Sequence, residues 1–256
     1  MIWDSRRLTQ LIDVARGRVP AELCLRRCRI VNVLTGRVET SDLAVHRGFI
    51  AGWGHYEALE TIDAENMFLC PGFIDGHIHL ESSLLSPMRF CAAAAPWGTT
   101  AVVADPHEMA NVLGLDGIRY LLEATDGLPM DVYFNLPSCV PASPLETSGA
   151  VLRGSDLFPL LRHPKVLGLA EMMNFPGVLA SVPEVIDKLL LFEEQCIDGH
   201  SPQLSGLDLN AYLAAGISSD HECTSLQEAR EKLSKGMVLM IPEGSQSKDL
   251  ARLLPA

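Results

Sequence analysis

The sequence predicts an α/β fold built on a parallel sheet, and three features of its second part predict it. From Met67 onward, apolar runs of strand length alternate with helical stretches. The runs are almost continuously apolar, which is typical of parallel strands buried on both faces. Nearly every run ends in Asp, His or Glu. A (β/α) barrel and a doubly wound sheet both bind ligands at the carboxyl ends of their strands, so these polar residues mark the functional edge in either architecture.

The composition is that of a folded, acidic protein. Of 256 residues, 48% are hydrophobic and 20% are charged, which is enough apolar material to bury a core. The length fits one large α/β domain, alone or with a small satellite. Lys and Arg number 20 against 32 Asp and Glu, a net charge of -12. This excess argues against nucleic acid and an anionic membrane as partners. It favours a metal ion or a neutral or cationic small molecule, unless the acidity serves solubility alone.

The first 66 residues differ in pattern from the rest and predict a separate region. Residues 1–20 contain a short amphipathic helix, predicted over 5–17 with Ser5 as its cap. Its apolar face is formed by Leu8, Leu11, Ile12 and Ala15. Residues 21–66 consist of short β-rich runs interrupted at Thr35-Gly36 and Arg47-Gly48, which predicts hairpins in a small, partial β subdomain.

Residues 67–256 predict about seven β/α units, the last of them cut short before an eighth strand. The strands are predicted within FLCPGFIDGHIH, TTAVVADP, DVYFNLP, KVLGLAEM, CIDGH, GISSDHE and MVLMIPEG. The helices between them are predicted over 112–125, 183–195, 206–215 and 225–235. A further helix begins after Ser245 and stops.

His77 and His79 form the strongest local motif, at the end of the first predicted strand of this series. Residues two apart in a strand point the same way, about 6–7 Å apart, so two imidazoles can chelate one ion. By itself the pair is a weak signal, because such short patterns recur by chance. Its position at a strand end, followed by Glu81, makes it a candidate metal site.

Three more strand ends carry side chains that bind metals. Glu171 closes VLGLAE, His200 closes CIDGH, and His221 lies in GISSDHE. A carboxylate that ends an apolar strand is costly unless it is paired, bound to metal or solvated, and a single histidine there is more often structural. Together with the first pair, however, these residues bring four imidazoles and one carboxylate to one edge, which suits a two-metal hydrolytic site.

Asp105 and His107 lie in an Asp-Pro-His-Glu turn after the second predicted strand. They are candidates for orienting a ligand imidazole or for contacting a substrate, whereas the simpler alternative is a turn capped by Asp105. His79 and Glu81 match the first half, H-x-E, of a zinc-deaminase signature. No P-C-x-x-C follows, which excludes that fold. Glu81 is kept as a catalytic candidate.

The chain also predicts a cytoplasmic protein. Its start, MIWDSRRLTQ, carries charges where a signal peptide has an apolar core, and no stretch reaches the roughly 18 apolar residues of a membrane span. The seven cysteines are odd in number and scattered through apolar segments, as expected of buried, reduced thiols. The sequence leaves the oligomeric state open, and a homo-oligomer is compatible with it.

Five segments together resemble the adenine deaminase branch of the amidohydrolase superfamily, and the similarity runs from about residue 5 to the end. The segments are PGFIDGHIHLESS, DPHEMANVLG, LPSCVPASPLETSGA, GLAEMMNFPGV and DGHSPQLSGLDLNAYLAAGISSDHECTS. PGFIDGHIH is common to the superfamily, and the remainder is specific to this branch. The resemblance implies a TIM-like (β/α) barrel of the amidohydrolase type, with a small β subdomain built from both chain ends.

The resemblance also implies a site and a reaction. His77 and His79 are expected to bind the first of two divalent ions, with Glu171 bridging the two. His200 and His221 are expected to bind the second. Mn²⁺ is the expected ion, with Fe²⁺ or Zn²⁺ as alternatives. The expected reaction belongs to purine metabolism: hydroxide attacks C6 of adenine, and ammonia leaves to give hypoxanthine.

Two departures from the family pattern bear on this activity. The family has an aspartate after an eighth strand as metal ligand and proton shuttle, and this chain stops before such a strand. Pro242 precedes Glu243-Gly244-Ser245 where the family often has arginine. We therefore expect impaired activity from a chain that is a fragment, a truncated gene product, or complemented by another chain. The alternatives are a catalytically inactive metal-binding fragment and an amidohydrolase for another cyclic amine or amide.

Overall fold

The computed structural model describes residues 4–256, so the first three residues of the predicted 1–20 segment lie outside the described part of the chain. The chain divides into two compact units, one ending at Pro71 and the other beginning at Gly72. In the part of the chain that is described, no helix is both long and apolar enough to cross a lipid bilayer.

The first unit consists of one helix and a five-stranded sheet. The helix is α1 (Ser5–Ala15), and the strands are β1 (Ala21–Asn32), β2 (Arg37–His46), β3 (Phe49–Trp53), β4 (Ala58–Asp63) and β5 (Phe68–Leu69). β1 with β2 and β2 with β3 form antiparallel pairs, as the Gly-containing turns predict. β4 and β5 both pair with β1 in parallel. Both predicted hairpins are therefore present.

The cap and the buried face of α1 differ from the prediction. Asp4 caps the helix, its carboxylate accepting a hydrogen bond from the Arg7 amide at 2.8 Å, and Ser5 is the first helical residue. Val14 is fully buried and packs with Ala21 and Ala44, whereas Leu8 and Ile12 are about half exposed. The sheet therefore covers a neighbouring face of the helix. The periodicity of the apolar residues predicted the wrong buried face.

The second unit contains seven described strands, and all of their pairings are parallel. They are β6 (Phe73–Ile78), β7 (Thr99–Ala104), β8 (Asp131–Leu136), β9 (Val166–Met172), β10 (Cys196–Gly199), β11 (Ser219–Asp220) and β12 (Val238–Leu239). β6 to β10 form one sheet in chain order, and β11 pairs with β12. A hydrogen bond from the Ser218 amide to the Ile197 carbonyl places β11 beside β10. Each strand falls within a predicted run, so the predicted incomplete (β/α) barrel is confirmed.

Helices follow most of these strands. They are α2 (Pro87–Ala94), α3 (His107–Leu113), α4 (Leu115–Ala124), α5 (Gly154–Leu157), α6 (Phe175–Leu179), α7 (Pro183–Leu191), α8 (Gly206–Ala214), α9 (Leu226–Ser234) and α10 (Leu250–Leu253). The single helix predicted over 112–125 is two helices, α3 and α4. They meet at Gly114, whose φ of 60° and ψ of -140° interrupt the helical backbone.

The predicted strand FLCPGFIDGHIH is also divided. Its first part is β5, which pairs with β1 in the first unit, and its second part is β6, which pairs with β7. Pro71 lies between them and has no amide hydrogen to offer a sheet, which explains why one apolar run forms two strands.

The core of the second unit lies between the parallel strands and their helices. Its fully buried large side chains include Phe134, Leu136, Leu169, Met172, Phe192, Leu209 and Tyr212. This apolar support fixes the carboxyl ends of the strands, where the polar residues singled out above are found.

Candidate metal centre

The predicted site residues lie at the carboxyl ends of five strands. His77 is in β6 with His79 just after it, Asp105 and His107 follow β7, Glu171 is in β9, His200 follows β10, and His221 follows β11. Parallel strands bring these ends to one edge, and this shared edge makes residues far apart in sequence neighbours in space.

Glu171 is the centre of the cluster. Its side chain is 3% exposed, and its two oxygens face different sets of histidines. Oε2 lies 2.5 Å from His200 Nδ1 and 3.0 Å from His221 Nε2. Oε1 lies 3.4 Å from His79 Nε2 and 3.3 Å from His107 Nδ1. The carboxylate is thus arranged to contact two groups of ligands, one through each oxygen.

His77 of β6 and His79 just after this strand present their ring nitrogens to the same point. His77 Nε2 and His79 Nε2 are 3.3 Å apart. His79 Nδ1 donates a hydrogen bond to the Asp105 carbonyl oxygen at 3.0 Å, so that in the neutral ring the lone pair is on Nε2. The His77 ring also stacks on the His221 ring, with centroids 4.0 Å apart. The pair therefore presents two imidazole nitrogens that could hold a single ion.

Asp105 and His107 belong to the same cluster. The buried Asp105 carboxylate accepts a hydrogen bond from the His107 amide at 3.1 Å and contacts His107 Nδ1 at 2.9 Å. Burial alone lowers the pKa of His107, but the hydrogen bond and charge of Asp105, together with the charges of Glu171 and Glu108, outweigh burial and raise that pKa to about 9. Asp105 therefore both caps the turn and holds the His107 ring that lies beside Glu171.

The pKa values of Glu171 and His77 suit metal ligands. Burial by itself raises the pKa of Glu171, but hydrogen bonds from His200 and His221 lower it well below its usual range. Burial and the neighbouring His221 ring lower the pKa of His77 to about 3. At neutral pH the carboxylate is ionised and the His77 ring is neutral, which are the states that bind a divalent cation.

Glu81 contacts the backbone of α3 instead of the histidines. Its Oε1 accepts a hydrogen bond from the Met109 amide at 3.0 Å, in the first turn of that helix. Among the described residues, its buried Oε2 has no hydrogen-bond partner. The structure thus places Glu81 as a cap for the helix that begins with His107.

The structure adds two residues that the sequence did not single out. The Tyr212 hydroxyl accepts a hydrogen bond from the His200 amide at 2.9 Å and donates one to the Met172 carbonyl at 2.8 Å. Glu222 lies 3.7 Å from His221 Nε2 and 4.0 Å from His200 Nδ1. The only sequence feature that could have pointed to Glu222 is its position next to His221. No sequence feature points to Tyr212, because it lies on the apolar face of α8.

The donor set fits divalent metal ions. Every ion-pair partner of the Glu171 carboxylate in the described chain is a histidine ring. Imidazole nitrogen and carboxylate oxygen together suit Mn²⁺, Fe²⁺ and Zn²⁺. An isolated buried charge is costly, so divalent cations bound between the Glu171 carboxylate and the histidine rings would stabilise that carboxylate.

Comparison with known sequences places the chain among related enzymes. The profile of the Amidohydrolase family matches residues 68–254. The chain is 67% identical over its full length to an adenine deaminase of Syntrophobacter fumaroxidans. It is 51% identical over 97% of its length to adenine deaminase 2 of Carboxydothermus hydrogenoformans. It spans 44% of the length of each of these relatives.

Two solved structures share the fold at low sequence identity. An N-acyl-D-glutamate deacylase of Bordetella bronchiseptica, solved with zinc and a phosphonate inhibitor, matches with a TM-score of 0.59 and 18% identity, over 87% of this chain and 58% of its own. The atrazine chlorohydrolase TrzN of Arthrobacter aurescens, solved with zinc, matches with a TM-score of 0.51 and 14% identity, over 91% and 74%.

Proposed function

Because the chain belongs to the amidohydrolase family, we propose that the protein carrying it converts adenine and water to hypoxanthine and ammonia at a centre of two divalent ions. The convergence of four strand-end histidines on the buried Glu171 carboxylate carries this proposal. The substrate is inferred from the relatives, which are named adenine deaminases and are up to 67% identical to the chain.

Five residues hold the ions in this proposal. His77 and His79 hold the first, and their facing Nε2 atoms support this role. His200 and His221 hold the second, and both contact Oε2 of Glu171. Glu171 bridges, since its other oxygen faces the His79 side. When bound, a divalent pair supplies Lewis acidity that makes hydroxide available near neutral pH.

The remaining predicted residues orient this set. Asp105 fixes two rings, because its carbonyl binds His79 and its carboxylate binds His107. His107 stands beside Oε1 of Glu171, where we assign it a catalytic role in holding a proton near the reacting groups. Glu81 acts through the helix that presents His107 and is a positioning residue in this proposal.

We assign Mn²⁺ as the resident ion and the cytoplasm as the site of this step of purine metabolism. A ligand set that contains a carboxylate beside imidazoles suits Mn²⁺ and Fe²⁺ as well as Zn²⁺. All seven cysteines are free thiols, which supports a reducing compartment.

An adenine deamination assay tests the proposal. The full-length gene product is loaded with Mn²⁺ and given adenine, and hypoxanthine and ammonia are measured together. We expect equal amounts of the two products and none from Glu171→Gln, which keeps the shape of the side chain and removes its charge. A manganese-loaded wild type that releases no more ammonia than Glu171→Gln would contradict the proposal.

A further inference from the structure

A buried ion cluster lies beside the candidate metal centre and is not part of it. Its centre is Lys232 of α9, whose side chain has no solvent exposure. The ammonium donates hydrogen bonds to the Ser201 carbonyl at 2.6 Å, to Asp220 Oδ2 at 3.0 Å and to Glu228 Oε1 at 2.8 Å. Buried lysines are rare unless they are paired, so this arrangement requires a specific explanation.

The cluster connects two strand ends through Asp220. The Asp220 side chain is also fully buried, and its Oδ1 accepts hydrogen bonds from the Ser201 amide at 2.7 Å and the Ser201 hydroxyl at 3.1 Å. Its Oδ2 accepts one from the Glu222 amide at 3.2 Å. The segment after β10 and the segment after β11 are thus held to one carboxylate, and that carboxylate is held by Lys232.

Both segments carry proposed metal ligands as direct neighbours of the cluster. His200 precedes Ser201, and His221 follows Asp220. The cluster contacts the backbone next to each of these two histidines, at Ser201 and at Glu222. In the first pair, His79 is oriented from elsewhere, through the Asp105 carbonyl, and the His77 amide donates to Asp75 Oδ1 at 3.1 Å.

The Lys232 ammonium also occupies a position that would otherwise suit a metal ion. Asp220, Cys223 and Glu228 place three ligand atoms within 4.8 Å of one another. Lys232 Nζ lies against two of them, so the protein's own cation balances this group. A buried carboxylate left without that charge is strongly destabilised, and it is expected to shift the backbone it holds.

We propose that Lys232 is a positioning residue for the second metal site, acting through Asp220 and Ser201 on His200 and His221. The inference rests on the proposed two-metal function. Partners that orient metal ligands typically change metal affinity 10–100-fold when removed. The loss is expected chiefly at the second ion, because the contacts of Lys232, Asp220 and Ser201 described above are with the segments that carry His200 and His221.

Mn²⁺ titrations of paired variants of the full-length protein test this selectivity. Lys232→Met is made in three backgrounds: wild type, His77→Ala and His200→Ala. In the wild-type background, we expect Lys232→Met to lower the affinity for the second ion 10–100-fold. In the His77→Ala background, we expect it to lower the affinity for the remaining ion by a similar factor. In His200→Ala it should have no effect, because the second site is already lost.

Lys235→Met is the matched control. Lys235 lies at the end of the same helix, is partly exposed and donates to the Gly206 carbonyl at 2.9 Å. We expect it to leave the affinities of both ions unchanged. Should Lys232→Met fail to fold, Ser201→Ala replaces it, since this variant removes only the hydroxyl contact to Asp220. We then expect a selective loss of affinity for the second ion, smaller than the loss expected from Lys232→Met.

The inference is overturned if Lys232→Met, or its substitute, affects both ions equally or neither. A general loss of stability would lower the affinity for both ions. A selective loss at the second ion therefore separates a positioning role from a structural one. A wild type that binds two ions without deaminating adenine would overturn the proposed function and leave this inference intact. A wild type that binds no Mn²⁺ would overturn both.

Discussion

Glu171 illustrates at the residue scale how partners decide the state of a buried group. Burial by itself favours the neutral acid, yet His200 and His221 keep the pKa of this carboxyl well below its usual range. The same side chain among apolar neighbours would be protonated and useless as a ligand. The ionised state of Glu171 depends on rings that follow two other strands. No property of residue 171 alone therefore identifies it as a candidate ligand.

The first prediction concerns His200. Removing its ring takes away one of two proposed ligands of the second ion while His77 and His79 remain. We expect His200→Ala to lower the bound Mn²⁺ from two equivalents toward one, as measured by elemental analysis after dialysis. Unchanged metal content in a folded His200→Ala protein would show that the ligand assignment is wrong.

The second prediction concerns Tyr212, whose hydroxyl joins the strands that carry Glu171 and His200. Tyr212→Phe leaves the buried Met172 carbonyl and His200 amide without this partner. Losing such contacts typically costs about 1–3 kcal/mol, measured as the free energy of unfolding in urea. Tyr120→Phe is the control, since Tyr120 is about half exposed, and it should change the value by less than about 0.5 kcal/mol. Equal effects of the two substitutions would rule out the bridging role of Tyr212.

Close approach of neighbouring strands shapes the site at the element scale. Gly168 in β9 faces the backbone of β10, and a Cβ there would fall on the Cys196 carbonyl oxygen. Only glycine lets the two strands pair in this register, and these strands carry Glu171 and precede His200. The spacing of these two proposed ligands therefore depends on the absence of a side chain at Gly168, three residues before Glu171.

We expect Gly168→Ala to push β9 and β10 apart. Overpacking of this kind typically costs about 1–3 kcal/mol, which a urea titration measures, and the displaced ligands should also reduce Mn²⁺ affinity. Gly244→Ala provides the comparison, because a Cβ at that position meets no atom within 4 Å. If Gly168→Ala and the wild type have the same urea midpoint of unfolding, the two strands are not as closely packed as described.

The sequence predicted the strands well because an apolar run followed by a polar residue is a local pattern. All seven strands of the second unit lie within predicted runs, and their polar ends meet as a parallel sheet requires. The face of α1 was misplaced because burial depends on what the helix packs against. Lys232 and Glu228 show the typical i,i+4 spacing of a solvent-exposed pair, yet both belong to a buried cluster. Such contacts are tertiary, and a single sequence does not contain them.

Metal binding should stabilise the second unit as a whole, because the proposed ligands come from separate strands of that unit. Saturation at 100 times Kd adds about 2.7 kcal/mol for each site. For a unit of this size, one kcal/mol corresponds to about 2–4 °C in Tm, so one site accounts for roughly 5–11 °C. We expect Mn²⁺ to raise Tm by at least this amount in calorimetry and EDTA to reverse it. The double variant His77→Ala/His200→Ala should not respond, and a response equal to the wild type's would place the ions elsewhere.

The central claim is that one carboxylate, Glu171, joins two ions held by histidines from different strands. Anomalous diffraction from crystals grown with Mn²⁺ tests it most directly, because it locates each ion. The account predicts two peaks, one beside Oε1 on the His77 and His79 side and one beside Oε2 with His200 and His221. A single peak, or peaks that do not contact Glu171, would contradict it.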